Sequence, residues 1–387
     1  MSKDEIYQAG IVGVKGDAGT PKDGGTLTVA DYSEARSLDP TVTIPNGAAG
    51  GNALAAVYDV LMRYDEEAGA FEPWLAESLT PNADNTVWTL KLRDGITFSD
   101  GTPLNAVAVL GSIGYYMKNA GFNTLVLAQN IKDMKPQGDD TVVFTMNAPW
   151  TSFPSVLAGG PGMIMAPAAY KNPAKFQPIG AGPFTLDSYK PSEELVLAAK
   201  PDYWKGKPHL DKLRFVWLGS DDAKMQSLEG GSVDVANIRT AKTVEKARKD
   251  GYAGVMSPAG LSTVFWINNR EGRAGHDVRV RKAINAAIDP EVYMARTSGE
   301  GMGLPSRNIY APTSRFHTDI DTAGYDPELA KKLLDEAKAD GYDGKLTYIG
   351  QSDPASQAGA IAVKAMLEKV GFDVKTEGLT NVADQIQ

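Results

Sequence analysis

The side chains that could do chemistry are few and scattered. The chain has 387 residues and three histidines, His209, His276 and His317, far apart in sequence. A metal cluster would have to be assembled from them by the fold, and each reads more simply as a surface or hinge residue. No metal site and no cofactor is expected. There is no cysteine, which removes disulfides, thiolate metal sites and cysteine nucleophiles together. No G-x-S-x-G elbow, P-loop or H-E-x-x-H pattern occurs, so the common hydrolase, nucleotide and zinc signatures are missing. GEGMG (299–303) looks like part of a nucleotide loop but lacks a last glycine at the required spacing; a flexible loop is the simpler reading. Carboxylates are plentiful, but no pair stands out by spacing, so a glycosidase dyad is not indicated.

The remaining polar and aromatic residues favour structural roles. Tyr203 and Trp204 would suit stacking on a ligand, yet packing explains them as well. Asp211 and Asp234 read as turn and cap residues. Arg279 and Arg281 alternate with Val278 and Val280 on a helical segment, which points to ion pairs rather than an anion site.

Composition narrows the class. Apolar residues make up 42% of the chain and aromatics 8%, enough for a sizeable core. At roughly 100–200 residues per domain the length allows two or three domains. The 40 glycines and 23 prolines imply many short elements and loops. The net charge of −9, from 39 basic and 48 acidic residues, argues against a nucleic-acid binder, which would show a basic excess or stripe. No apolar run is long enough to span a bilayer. The start, MSKDEIYQAGIVGVKGDAGTPKDGG, lacks a charged-then-apolar export pattern. Either the protein is cytosolic or an export signal has been removed.

Periodicity supplies the elements that would position a site. Residues 1–24 are polar and Gly-rich and read as a flexible tether. GTLTVA (25–30) is a strand, and NALAAVYDVLMRY (52–64) a helix. Residues 74–109 read as a helix stub, an alternating strand, a second short strand and a helix start. Trp88, Leu90 and Leu92 fall on one face of that strand, and Thr89, Lys91 and Arg93 on the other. The helix that follows runs to about Asn119. TVVFTM (141–146) is a strand, residues 180–199 a hairpin, and DKLRFVW (211–217) a strand. STVFWINN (262–269) is expected as a strand. DVRVRKAINAAID (277–289) is a helix with Val278, Ile284 and Ile288 inward. DPELAKKLLDEAKADG (326–341) is a helix capped by Asp326, with Pro327 at its first position and Gly341 past its end. KLTYIG, a helix over 354–370 and FDVKT complete a mixed α/β lobe.

The segment WLAESLTPNADNTVWTLKLRDGITFSDGTPLNAVAV resembles family 5 extracellular solute-binding proteins, the peptide and nickel receptors of bacterial ABC importers. Their text here is close to P-x-L-A-E-S-W followed by W-T-F-x-L-R-x-G-V-x-F-x-D-G-x-P-x-x-A-x-D-V. SLDP (37–40), GAGPFTLDSYKPSEELVLAAKPDYWKGKPHLDKLRF (180–215), INNREGRAGHDVRVRKAINAAID (267–289) and YDPELAKKLLDEA with GFDV extend the similarity over about residues 25–376. Family members continue for roughly another hundred residues, so the second lobe is expected to be incomplete at the C-terminus.

The resemblance implies an α/β, two-lobe periplasmic-binding-protein-like fold with an extra subdomain. Lobe I would span 25–262, with the subdomain near 50–175, and lobe II 263–387. It also implies capture of a small molecule or short peptide outside the cytoplasmic membrane. Delivery would be to an ABC permease, by a monomer, periplasmic or lipid-anchored, without catalysis. A ligand-presenting signalling receptor, a receptor for nickel chelate, opine or oligosaccharide, and a hydrolase are the alternatives. Ligands of α/β lobes sit outside strand carboxyl ends. Through the resemblance this selects Ile44, Pro45 and Asn46 after the first strand and Asn237, Ile238 and Arg239 after a short one. It also selects Val264 and Trp266 on the expected crossover strand, and Gln351 and Ser352 after KLTYIG. Ala355 stands where some oligopeptide-binding relatives have a histidine, which speaks against that style of carboxylate contact.

Overall fold

A computed structural model describes residues 3–14, 16, 19–44, 49–257, 263–310, 314, 316–318, 320, 324–351 and 354–379. The chain divides into a first unit, Ala18–Ile238, and a second unit, Met1–Asp17 with Arg239–Gln387. The division therefore falls after Ile238 rather than after residue 262. The reason lies in the N-terminal residues, which do not behave as a tether. Helix α1 (Lys3–Ile6) and strand β1 (Gly10–Val12) belong to the second unit. β1 pairs antiparallel with residues 254–256, and Ile6 is buried. Arg248 donates to the carbonyls of Ile6 (3.3 Å) and Glu5 (3.1 Å), and the Tyr7 hydroxyl donates to buried Glu245 at 2.9 Å.

The first unit opens with β2 (Thr26–Asp31) and α2 (Gly51–Val57). The helix expected over 52–64 stops at Val57. Beyond it β3 (Met62–Asp65) turns back on β4 (Ala70–Pro73) as an antiparallel hairpin, with Arg63 paired to Glu72. The helix stub expected at the start of 74–109 is also a strand. β5 (Ala76–Pro81) lies antiparallel to β6 (Val87–Leu92), and Lys91 reaches Glu77 across the pair. β6 keeps its alternation, with Trp88, Leu90 and Leu92 all buried. The second short strand expected near Phe98 is only an isolated bridge between Thr97 and Pro103.

Helix α3 (Ala106–Lys118) begins where Asn105 accepts a hydrogen bond from the Ala108 amide. α4 (Thr124–Asn130), β7 (Ile131–Pro136), β8 (Thr141–Met146) and α5 (Phe153–Leu157) follow. The four-stranded antiparallel sheet runs β5-β6-β8-β7. Its buried face meets Ile113, Tyr116, Leu127 and Phe153 in one core. β9 (Phe184–Lys190) and β10 (Glu194–Ala199) form the expected hairpin. β11 (Lys212–Trp217), α6 (Asp221–Glu229) and β12 (Val235–Ala236) complete a second sheet, in the order β12-β2-β11-β10-β9. β2 runs parallel to both β11 and β12.

The second unit continues with α7 (Ala241–Lys249) and β13 (Gly254–Met256), the partner of β1. Then come α8 (Val278–Ala287), α9 (Pro290–Ser298), α10 (Pro327–Ala339), β14 (Lys345–Gln351), α11 (Pro354–Lys369) and β15 (Asp373–Leu379). β14 and β15 are parallel, joined through α11. α10 has the expected cap: the Leu329 amide donates to Asp326 at 2.9 Å. Of the residues expected inward on α8, Ile288 is buried and Ile284 packs partly buried on the same core, but Val278 does not. Val280, Ala283, Ala286 and Ala287 are fully buried, whereas Val278 is 48% exposed. Small side chains are buried there because α8 packs closely on α10 around Ala330 and Leu334. Residues 263–269 pair with no strand among the described residues.

The GAGP segment shows why glycine is needed there. The Gly182 amide donates to the Val57 carbonyl at 3.0 Å, and a Cβ on Gly182 would lie 2.6 Å from that carbonyl oxygen. A backbone cannot move aside as a side-chain tip can. Gly182→Ala is therefore expected to cost about 1–3 kcal/mol, the scale of overpacking. Chemical unfolding of the first unit checks this; an unchanged midpoint would show that the contact relaxes freely.

Candidate functional site

Three parallel strands of the first unit end on one edge of the sheet, at Asp31 (β2), Trp217 (β11) and Ala236 (β12). Two buried charges lie at this edge. Asp31 is 1% exposed. Its Oδ1 accepts from the Tyr32 amide at 2.8 Å and from Asn52 Nδ2 at 3.1 Å. Burial pushes its pKa above the usual carboxylate value, partly offset by those two bonds and by Lys224. Lys224, from α6, is also buried. Its Nζ donates to the Asn237 carbonyl at 3.0 Å. It lies 3.6 Å from Asp221 Oδ1 and 5.6 Å from the centre of the Tyr32 ring.

The loop leaving β2 is held from below. Asp39 is buried and accepts from the Tyr115 hydroxyl and the Thr41 amide, both at 2.8 Å. Tyr58 donates its hydroxyl to the Leu38 carbonyl at 3.0 Å, and Thr43 Oγ1 donates to the Ser37 carbonyl at 2.6 Å. This explains SLDP as a motif: its aspartate is a loop anchor. Further along, Tyr189 donates to Glu34, which also accepts from the Ser192 amide. Burial, then Glu34, pushes Tyr189 up to about 12. The loop brings Ile44 out 49% exposed, while Pro45 and Asn46 fall outside the described residues.

The structure thus places Asn237 at the edge, its amide donating to the Ala30 carbonyl at 2.9 Å. Ile238 beside it is half-buried, and Arg239 is exposed and begins the second unit. Asp31, Asn52 and Lys224 were missed by sequence reasoning. The available clue was a carboxylate directly ending an apolar strand, in VAD.

In the second unit, Phe265 packs edge-on against Tyr293, ring centres 5.5 Å apart, and against Tyr348. Its neighbours face other ways: Val264 is half-buried, and Trp266 is 93% exposed. The strand expected over 262–269 does not form across 263–269, where Val264 and Ile267 are half-buried and Phe265 and Trp266 exposed. Gln351 ends β14, its backbone opposite Leu379; Ser352 lies outside the described residues.

The other conspicuous residues have structural partners. Tyr203 and Trp204 both donate to Asp59 Oδ2 at 2.8 Å, and Trp74 donates to Oδ1 at 3.0 Å. Lys205 stands 3.8 Å from the centre of the Trp74 ring. Arg279 pairs with Asp277 (2.7 Å) and Asp340 (2.6 Å). His209 meets Asp23 at 2.6 Å, while His276 and His317 each meet a backbone carbonyl. Among the described residues no group of three histidines or carboxylates could hold a metal. GEGMG begins as the C-terminal stop of α9, with Gly299 at φ 108°. No helix among the described residues is long and apolar enough to cross a membrane.

With this architecture in place, comparison with known proteins defines the class. The family model described as "Bacterial extracellular solute-binding proteins, family 5 Middle" matches residues 70–387. The chain belongs to this family. It is 26% identical over 379 residues to the probable D,D-dipeptide-binding periplasmic protein DdpA of Escherichia coli K12, covering 94% of this chain and 72% of that protein. The periplasmic binding protein DppA of Helicobacter pylori, solved with the peptide STSA, is 27% identical, with a TM-score of 0.78 over 92% of this chain and 74% of that one. The binding protein AgaA of A. tumefacien R10, solved with agropinic acid, is 26% identical, with a TM-score of 0.80 over 92% and 72%.

The raised pKa of Asp31 gives a pH test. The folded state favours the protonated acid, so stability from this group is fully present below the unfolded pKa and lost as pH rises through the folded one. Asp31→Asn keeps an oxygen for both hydrogen bonds and removes the buried charge. The variant is expected to match or exceed wild-type thermal stability at neutral pH. The margin should narrow on acidification toward about pH 4, the ordinary carboxylate range. A margin that widens on acidification would contradict this account.

Proposed function

We propose that this protein is the extracytoplasmic solute-binding component of an ABC importer, taking a small peptide or peptide-like solute and delivering it to a permease. The family match over residues 70–387 carries this reading. The peptide class is supported by the D,D-dipeptide assignment of the DdpA relative and by the peptide held by DppA. The protein works as a monomer and turns nothing over. The edge that collects the ends of β2, β11 and β12 supplies fixed backbone groups, which suit the main chain of an extended peptide. Considered by itself, the second unit offers Trp266, a large apolar face with one N–H donor. The agropinic-acid complex of AgaA supports a second reading, an opine in place of the peptide.

Native mass spectrometry of the freshly purified protein separates these readings by the mass of any retained ligand. Turnover of a labelled peptide library in proportion to protein concentration would instead identify a hydrolase.

Trp266 offers the sharper test. At 93% exposed its indole contributes little to the folded unit, so Trp266→Ala is expected to leave thermal stability unchanged. If the ring covers the solute, affinity should fall by about 1–3 kcal/mol, the scale of burying one large apolar side chain. Ligand should also shift the fluorescence of the wild type more than that of the variant. Equal affinities in a calorimetric titration would remove Trp266 from the site.

A further inference from the structure

Lys224 is placed where a lysine is costly. Its side chain is 3% exposed, and a buried ammonium is tolerated only where fixed partners replace water. The partners here are the carboxylate of Asp221, the face of Tyr32 and the carbonyl of Asn237. Attraction to Asp31 adds to them. Asn237 is therefore held from both sides, by its amide on Ala30 and its carbonyl on Lys224. One residue later, after Ile238, the polypeptide leaves the first unit. The same ammonium lies beside the first residues of the loop leaving β2, whose Tyr32 amide is fixed by Asp31.

We propose that Lys224 is a positioning residue for solute capture: its ammonium fixes the backbone at Asn237, where the chain leaves the first unit, and steadies the start of the loop after β2. It does not itself touch the solute. The link to capture rests on the reading of this edge as part of the ligand site. A residue that merely stabilised the fold would act on the whole unit. A positioning residue acts on these two segments alone.

The experiment compares the full chain with Lys224→Gln and Lys224→Arg. Amide hydrogen exchange is followed by mass spectrometry, and binding by tryptophan fluorescence with an equimolar pool of synthetic di-, tri- and tetrapeptides. Lys224→Gln should speed exchange in segments 32–44 and 233–238 by about tenfold, the scale of losing a hydrogen bond from a charged group. Exchange in the β5-β6-β8-β7 sheet should stay as in the wild type, and affinity for the pool should fall by a similar factor. Lys224→Arg should restore both readouts. Unchanged exchange in the two segments, or faster exchange throughout the first unit, overturns the positioning role. Loosened segments with unchanged peptide affinity overturn its link to capture. A wild type that binds none of the pool removes the peptide reading and the capture half of the proposal with it, while exchange still decides whether Lys224 sets the backbone.

Discussion

The parallel pairing of β2 with both β11 and β12 is the constraint on which the first unit depends. β2 is met by strands from the far end of the same unit, with Thr26 opposite Lys212 and Val29 opposite Val235. The chain between β2 and β9 must leave the sheet and return through β9, β10 and β11. Closing so long a loop costs only slightly more than closing a shorter one, because the entropy grows with the logarithm of length. The chain uses this freedom to fold a separate layer, the β5-β6-β8-β7 sheet with α3 and its own core. The close approach of Gly182 to Val57 joins the returning chain to the start of the excursion.

Parallel strands also explain the chemistry of the edge. Three carbonyl-bearing ends arrive together, and their polar groups need partners if water is excluded. Asp31, Asn52, Lys224 and Asn237 supply them within the first unit. Burying a carboxylate and an ammonium is expensive, and such pairs contribute little net stability. Their value lies in fixed geometry. Under the proposal that this edge takes part in solute capture, the geometry has a purpose, since backbone groups held still before a ligand arrives lose little freedom when it binds.

Legibility in the sequence followed how local each cause was. The alternation in β6 and the cap of α10 are set by neighbouring residues, and both were readable. The fate of WLAESL was not. Its spacing suits a helix, but pairing with β6 across the turn makes it a strand. The helix over 52–64 is cut short because Met62–Asp65 finds a partner in Ala70–Pro73. The family text selected the candidate segments, and the structure places Asn237 at the strand-end edge and leaves Trp266 93% exposed. The buried Asp31 and Lys224 stayed hidden because the fold brings in partners from elsewhere in the sequence: Asn52 on Asp31, and the Tyr32 ring and Asn237 carbonyl on Lys224.

The N-terminal residues have a practical consequence. Residues 3–12 look disposable by composition, yet they supply β13 with its strand partner and cover part of α7 with Ile6. Gly13 sits so close to the Tyr252 carbonyl that a Cβ would lie 2.3 Å from it. A recombinant version trimmed to begin at the first obvious strand would keep every residue of the first unit's sheet and still damage the other unit. An affinity tag fused at Met1 would be attached to the second unit. Cleavage in the Gly-rich stretch before β2 would leave a short peptide held by its strand pairing, its hydrogen bonds and buried Ile6, as a separate chain completing a sheet it no longer belongs to covalently.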